Sequence, residues 1–421
     1  MLDRKSTNFL FIAPTPFYAN RGCHMRIRGE AEALRDKGYE VIILTYKEGG
    51  DVPGLKIIRS QISVGGFKNG VAATWKNIPA GIFLFWIVLH ETYYHRPDVL
   101  YGHLFEGAAI GIAVKYLVVI LSLFRYKPIL VLDTQGGLSE EMKSYKMINT
   151  PILLKIIRWL EIFILFFPDF VFTSSIQCAK TLKKISQKTN PVCLPDGISI
   201  FNKNISLQYV NKFKGSNGKE KSLSKISYSF STQETALIKK WIKFNNPILL
   251  YTGSYSLAKG FPEFVKRAMP ELLKKENFCF LFGGGDSRNI TYLNDLIKNN
   301  PDRIISLSDL NSKNLLYFSL LGDIAIDCKP STTTESSGKI LNYMAAGLPV
   351  VCFNQENNHL FLGNNGLYAD NFSEFSQLVL KLANDTALRT RLARANLERS
   401  WGKFTWDLQV EKMLSILNSS K

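Results

Sequence analysis

Apolar positions in the first half of the chain gather into short blocks, "NFLFIA", "EVIILTY", "LKIIRS", "DVLYGH", "PILVLDT", "FVFTSS" and "VCLPD", and most of the longer gaps between them are helical in period. This alternation predicts a parallel sheet covered by helices on both faces. Fully apolar strands such as Val41 to Leu44 fit, because a strand covered on both sides buries both sets of side chains. A helix over about 25–37 carries Met25, Ala31 and Leu34 on one side, and Gly38 is placed just past its end as a left-handed stop. The pattern restarts with "PILLYTG", "FCFLFGGG", "RIISLS", "IAIDC", "PVVCF" and "GLYAD". Between the two sets, "NKFKGSNGKEKSLSKISYSFSTQ" is rich in Asn, Ser, Lys and Gly, lacks sustained periodicity and reads as a mobile insertion beside an interdomain linker.

Two doubly wound α/β domains follow from the restart, and 421 residues suit two cores of ordinary size. The expected divisions are 1–200, a Lys/Asn/Ser-rich linker and insertion at 201–245, a second domain at 246–395, and a helix at 396–421 returning across the domain interface. Such domains hold ligands at the carboxyl ends of their strands, so two of them facing each other would place a substrate in the cleft between.

Composition narrows the picture. Six cysteines lie scattered, mostly in apolar runs and without C-x-x-C spacing, which favours buried free thiols and a reducing cytosol over a disulfide frame or a zinc site. The amino-terminal apolar run reads as a first strand rather than a secretory signal. "AGIFLFWIVL" is short for a membrane span, "GAAIGIAVKYLVVILSLF" holds Lys115, and "PILLKIIRWLEIFILFF" holds Lys155, Arg158 and Glu161, so core or interfacial helices fit better. The formal charge of +17 raises nucleic acid as a partner, but no helix-turn-helix, zinc-finger or RNP-like string accompanies it. Between 202 and 245 nine lysines stand against Glu220 and Glu234, which reads as a solvated loop or as a contact with anionic lipid or a phosphorylated substrate. The Trp, Phe, Arg and Lys mix of "LLKIIRWLEIFILFF" adds an expectation of peripheral contact with the cytoplasmic membrane face through the first domain, core packing being the alternative.

Several stretches offer chemistry. In "YTGSYSLAKG", Gly253 follows a strand and Lys259 precedes a helix, as a phosphate-binding turn would need; an ordinary strand-to-helix turn has the same pattern. "FGGGDS" lacks full dinucleotide spacing. In "PSTTTESSGKILNYMAAGLPVV", Glu335, Ser336, Ser337, Gly338 and Lys339 lie where a loop enters a helix: amides and a lysine for an anion, a carboxylate for sugar hydroxyls. A nucleotide sugar suits that combination, and a serine cap with a solvated glutamate is the plainer alternative. In the first half, Gly22, His24, Arg26 and Arg28 surround a loop before a helix, Asp133, Thr134 and Gln135 sit at a strand tip, and His103 and Glu106 form a third such pair. The histidines show no metal-ligand spacing, and no nucleophile elbow is present.

Taken in order, "FIAPTPFYANRGCHMRIRGEAEALRDKGYEV", "LDTQGGLSEE", "LPDGI", "YTGSYSLAKGF" and "SSGKILNYMAAGLPVV" resemble the family 4 retaining glycosyltransferases of GT-B fold across almost the whole chain. The resemblance implies two Rossmann-like domains, an acceptor in the first, a UDP- or GDP-linked sugar in the second, and no metal or other cofactor. It makes Lys259 the diphosphate lysine and Gly22 the glycine beside the reacting sugar. The usual arginine after "YTG" is Ser254 here. The two family glutamates fall on Thr334 and Asn342, leaving Glu335, one place displaced, as the sugar-binding acid, and Gln135 stands where a histidine is common. The implied catalytic set is Glu335, Gln135 and Gly22, with Gly253, Ser254, Lys259, Ser337, Gly338, Lys339, Asn342, His24 and Asp133 as substrate contacts. The implied function is transfer of a hexose-type sugar to a glycan, polysaccharide or lipid-linked acceptor in cell-envelope glycan synthesis. A catalytically silent sugar-nucleotide or glycan-binding partner and a nucleotide-sugar 2-epimerase of the same fold are the alternatives.

Overall fold

Along β1 (Asn8–Ala13) the odd residues Phe9 and Phe11 face one side of a sheet and Leu10 and Ile12 the other, the two-residue period of a strand covered twice. A computed structural model of the protein describes residues 7–18, 22–63, 78–144, 150–198, 215–285, 290–308, 310, 314–330 and 334–419. The chain divides into two compact units: Met1–Gly197 with Thr334–Ser336 and Trp406–Lys421, and Ile198–Thr333 with Ser337–Thr405.

In the first unit β2 (Glu40–Thr45), β3 (Lys56–Arg59), β4 (Val99–His103), β5 (Ile129–Thr134), β6 (Phe170–Thr173) and β7 (Val192–Cys193) join β1 in the order β3-β2-β1-β4-β5-β6-β7, every pair parallel. The order reverses between β1 and β4, so helices cover both faces. Phe9 and Phe11 pack with the helices Gly22–Asp36 and Trp406–Ser419. Leu10 and Ile12 pack with Ile78–His95 and Leu104–Leu121. Gly38 closes the first helix at φ +90°, the left-handed stop its position predicts. The six cysteines are free thiols, four of them buried.

In the second unit β8 (Ile248–Thr252), β9 (Cys279–Gly283), β10 (Ile304–Leu307), β11 (Ile324–Asp327), β12 (Val350–Phe353) and β13 (Leu367–Ala369) form an all-parallel sheet, β10-β9-β8-β11-β12-β13. Leu249 and Tyr251 join Phe261, Phe264, Phe280 and Phe282 on one face; Ile248 and Leu250 join Leu341 and Met344 on the other. At about 1.5–3 kcal/mol for each buried large apolar side chain, these two layers hold the sheet.

Two expected boundaries differ from the structure. Residues 215–243, read as insertion and linker, form the helices Gly215–Ile226 and Thr232–Lys243, and Leu223, Ile226, Ile238, Trp241 and Ile242 are buried in the second unit. Ser231 caps the second of these in a reciprocal capping box with Glu234. The many Ser and Lys residues conceal a thin apolar stripe that a packed neighbour is enough to order. The remainder of that expected segment, up to 214, lies outside the described residues. The division expected at 395/396 falls inside the helix Thr386–Lys403, which belongs to the second unit; the chain passes to the first unit at Trp406.

Candidate functional site

The sheet of the second unit reverses between β8 and β11, where a doubly wound sheet leaves a crevice at its carboxyl edge. Gly253 leaves β8 at φ +127° and its N–H donates to the Gly283 carbonyl at 2.8 Å. A side chain there would be strained, and its Cβ would stand 3.5 Å from Lys339 Nζ, so the turn after β8 and the helix Gly338–Ala345 meet at this point. Gly260, which follows Lys259, packs so tightly that a Cβ would overlap the Cys328 carbonyl. The loop carrying Lys259 is thereby pressed against the end of β11. The turn after β8 and the start of the helix Gly338–Ala345 thus meet at Gly253 and Lys339, and the loop carrying Lys259 abuts the end of β11 beside them.

Lys339 is more constrained than its sequence position reveals. Its Nζ lies 3.4 Å from Asp327 Oδ1, 4.4 Å from the centroid of the Tyr251 ring and 3.3 Å from the Tyr251 hydroxyl, to which it donates. Burial favours the neutral amine, but the Asp327 carboxylate, together with Tyr343 and Cys328, outweighs it and holds the lysine above its ordinary range, so Lys339 is a cation at neutral pH. Part of that charge is answered by Asp327. Tyr251 is fixed in turn by stacking on Phe261 at 4.3 Å and by donating to the Ser254 carbonyl at 2.9 Å.

Tyr343 ties the helix to the strand. Its hydroxyl accepts the Thr252 N–H at 2.7 Å and lies 3.0 Å from Thr252 Oγ1, all of it buried. Sequence alone does not single out Tyr251, Asp327 or Tyr343. An acid closing the apolar run "IAID" was the available signal, because a carboxylate buried on a strand needs a cation. Ser254 is exposed and pairs with Ser256 at 3.2 Å; Ser337 is buried and precedes the helix without a side-chain cap; Asn342 is half-buried within it. Glu335 is half-buried and groups with the first unit, where Ser175 Oγ donates to the Thr334 carbonyl at 2.5 Å.

In the first unit the expected contacts divide. Gly22 opens its helix in exposed surroundings, with no atom within 4 Å of the place a Cβ would take, and Gln135 is half-buried at the tip of β5. Asp133, read as a substrate contact, is instead buried and gripped by Arg26, whose Nε and Nη2 donate to its two oxygens at 2.8 and 2.6 Å. His24, also read as a contact, is fully buried with Nε2 2.6 Å from Thr15 Oγ1. The cluster continues: Arg26 Nη1 donates to Asp196 at 2.9 Å, Arg26 Nη2 lies 3.1 Å from Glu30, and His103 Nδ1 is 3.2 Å from Asp133. Burial would raise the Asp133 carboxyl, yet Arg26 and His103 bring it down to about 2. Burial pushes Glu30 well above the carboxylate range despite Arg26, and pushes His103 down despite Asp133. Among the described residues, Glu30, His103 and Asp133 offer ligand atoms within 4.8 Å of one another, but the cation among them is the Arg26 guanidinium.

Comparison with known proteins agrees with this geometry. Residues 246–385, which contain the crevice, match the family model described as Glycosyl transferases group 1. A search of curated proteins returns no match. Among solved structures the chain is similar to sucrose-phosphate synthase from Thermosynechococcus elongatus, at 14% identity and TM-score 0.72, covering 98% of each chain. It is similar to Anabaena Alr3699/HepE in complex with UDP and glucose, at 13% identity and TM-score 0.70, over 98% of this chain and 99% of the other. The catalytic domain of Starch Synthase IV from Arabidopsis thaliana, bound to ADP and acarbose, matches at 12% identity and TM-score 0.68 over 98% and 99%. At these identities the likeness establishes the fold, and the fold together with the match over residues 246–385 supports a glycosyltransferase of GT-B fold.

Proposed function

We propose that the protein is a family 4 retaining glycosyltransferase that moves a hexose-type sugar from a UDP- or GDP-linked donor to a glycan or lipid-linked acceptor in cell-envelope glycan synthesis. The observation that carries the reading is the meeting of the Gly253 turn with Lys339 at the β8/β11 reversal, inside the segment that matches the glycosyl transferase model. A glycine turn lets phosphate oxygens approach the backbone, and the helix Gly338–Ala345 directs free amides toward the same place. Lys339, kept cationic by Asp327, and Lys259 supply the charge that stabilises a departing nucleoside diphosphate, the role a metal would otherwise fill. Retention on one face of the sugar needs no flanking pair of carboxylates of the kind a glycosidase uses, which accommodates Asn342 in place of an acid. The solved neighbour crystallised with UDP and glucose supports a nucleotide-sugar donor.

A thermal-shift panel of UDP, GDP, CMP, ADP and NAD tests the donor class first, because ligand that binds only the folded state raises the melting temperature. A shift with one nucleoside diphosphate and none with NAD is expected. Product analysis with the matching sugar nucleotide in a chelator then distinguishes transfer with retained anomeric configuration from epimerisation and from binding without turnover. No stabilisation by any nucleoside diphosphate would end the proposal.

A further inference from the structure

Three neighbouring helices on one face of the first sheet, Ile78–His95, Leu104–Leu121 and Pro151–Leu165, carry apolar side chains toward the sheet and also away from it. A helix that covers a sheet ordinarily turns a polar face outward. Leu104–Leu121 buries Ala108, Gly111, Val114 and Val118, and its opposite stripe is Ala113, Tyr116, Leu117 and Ile120, all exposed. Most of the exposed large apolar side chains among the described residues lie on these helices and their carboxyl ends, including Trp86, Tyr94, Phe124 at 78% exposure, Trp159 at 75% and Phe163. Along the third helix Ile152, Ile156, Trp159, Leu160 and Phe163 line a shallow hollow of about 480 Å³ together with Lys155. An exposed apolar area of this extent marks a binding surface.

The charges around it decide the occupant. Arg96, Arg125, Lys127, Lys155, Lys183 and Lys188 are exposed, and Lys188 Nζ stands 5.3 Å over the Phe166 ring. Among the described side chains between 78 and 190 the only exposed acid is Asp169, and Lys115 holds it at 2.5 Å. A second copy docking through the same face would set basic rim against basic rim. We infer that this three-helix face docks on an anionic lipid bilayer, with the tryptophans and tyrosines at the headgroup level and the lysines and arginines on lipid phosphates. Each such cation near the surface multiplies partition about fivefold, and short-range screening makes the effect dependent on salt.

Flotation of the full chain with phosphatidylcholine vesicles, with and without phosphatidylglycerol, tests the inference and needs no sugar donor, so its outcome is separate from the assignment of transfer. The protein is expected to float with the anionic vesicles and to lose at least about tenfold of that binding at high salt. Trp86→Glu, Trp159→Glu and Phe163→Glu combined should abolish flotation while the melting temperature stays near that of the parent, since all three side chains are exposed. Lys155→Ser and Lys188→Ser should weaken binding to anionic vesicles without altering stability, since both side chains are exposed. Equal flotation of parent and variants, equal binding to neutral and anionic vesicles, or a parent that sediments as a dimer and stays off vesicles would each overturn it.

Discussion

Lys339 lies over the ring of Tyr251, its Nζ 4.4 Å from the centroid, so a residue on the helix after β11 is held by the penultimate residue of β8. The contact joins the two halves of the crevice and orients a cation whose charge Asp327 preserves.

Replacing Lys339 with Met should therefore have two effects. Asp327 would be left buried without its cation, costing about 3 kcal/mol of stability, and nucleoside diphosphate binding should weaken. Lys339→Met combined with Asp327→Asn should recover most of the stability and none of the binding, as read by urea unfolding and by nucleotide titration.

Lys259→Ala should weaken nucleoside diphosphate binding by about 1–2 kcal/mol, read by nucleotide titration, while Gly260 and Cys328 continue to fix the turn that carries it. Unchanged affinity in this variant would remove Lys259 from the diphosphate site.

Tyr343→Phe removes the acceptor of the buried Thr252 N–H. An unsatisfied buried donor costs about 1–3 kcal/mol, and the end of β8 should loosen. Denaturant unfolding gives the first quantity, and amide exchange at Thr252 and Gly253 gives the second.

His103 predicts a pH dependence. Burial lowers its folded-state pKa, so the unfolded chain takes up a proton as pH falls through the ordinary histidine value near 6.5 while the folded chain does not. The unfolded state then binds more protons, and stability falls with acidification in that window. Glu30, whose raised pKa lets the folded state take up a proton first, contributes with the opposite sign as pH falls from that raised pKa to the ordinary carboxylate value. The stability of His103→Asn, compared with the parent between about pH 7 and 5.5, should decline less steeply.

Glu335→Gln is expected to lower turnover more than nucleotide affinity, and Asn342→Ala to do the reverse, if the carboxylate reaches sugar hydroxyls and the amide the ribose. Steady-state kinetics beside nucleotide titration resolves the two, and identical behaviour of both variants would count against the donor-site reading.

Sequence by itself determined the strands, the restart of the α/β pattern and the turns at Gly38 and Gly253. These rest on local rules: period two for a strand, a glycine for positive φ, apolar runs for strands buried on both faces. It also singled out Lys259 and Lys339 by their place at helix entries, and Asn342 through the family resemblance. It did not reveal that Asp133 belongs to Arg26, 107 residues away, or that Asp327 belongs to Lys339, because pairing of buried charges depends on which strand ends the crossovers bring together. The helices at 215–243 escaped for a related reason, since their narrow apolar stripes are ordered by the core they join. Whether an apolar helix turns its second face inward or toward a membrane is likewise decided by the number of layers packed over it, which no stretch of its own sequence records.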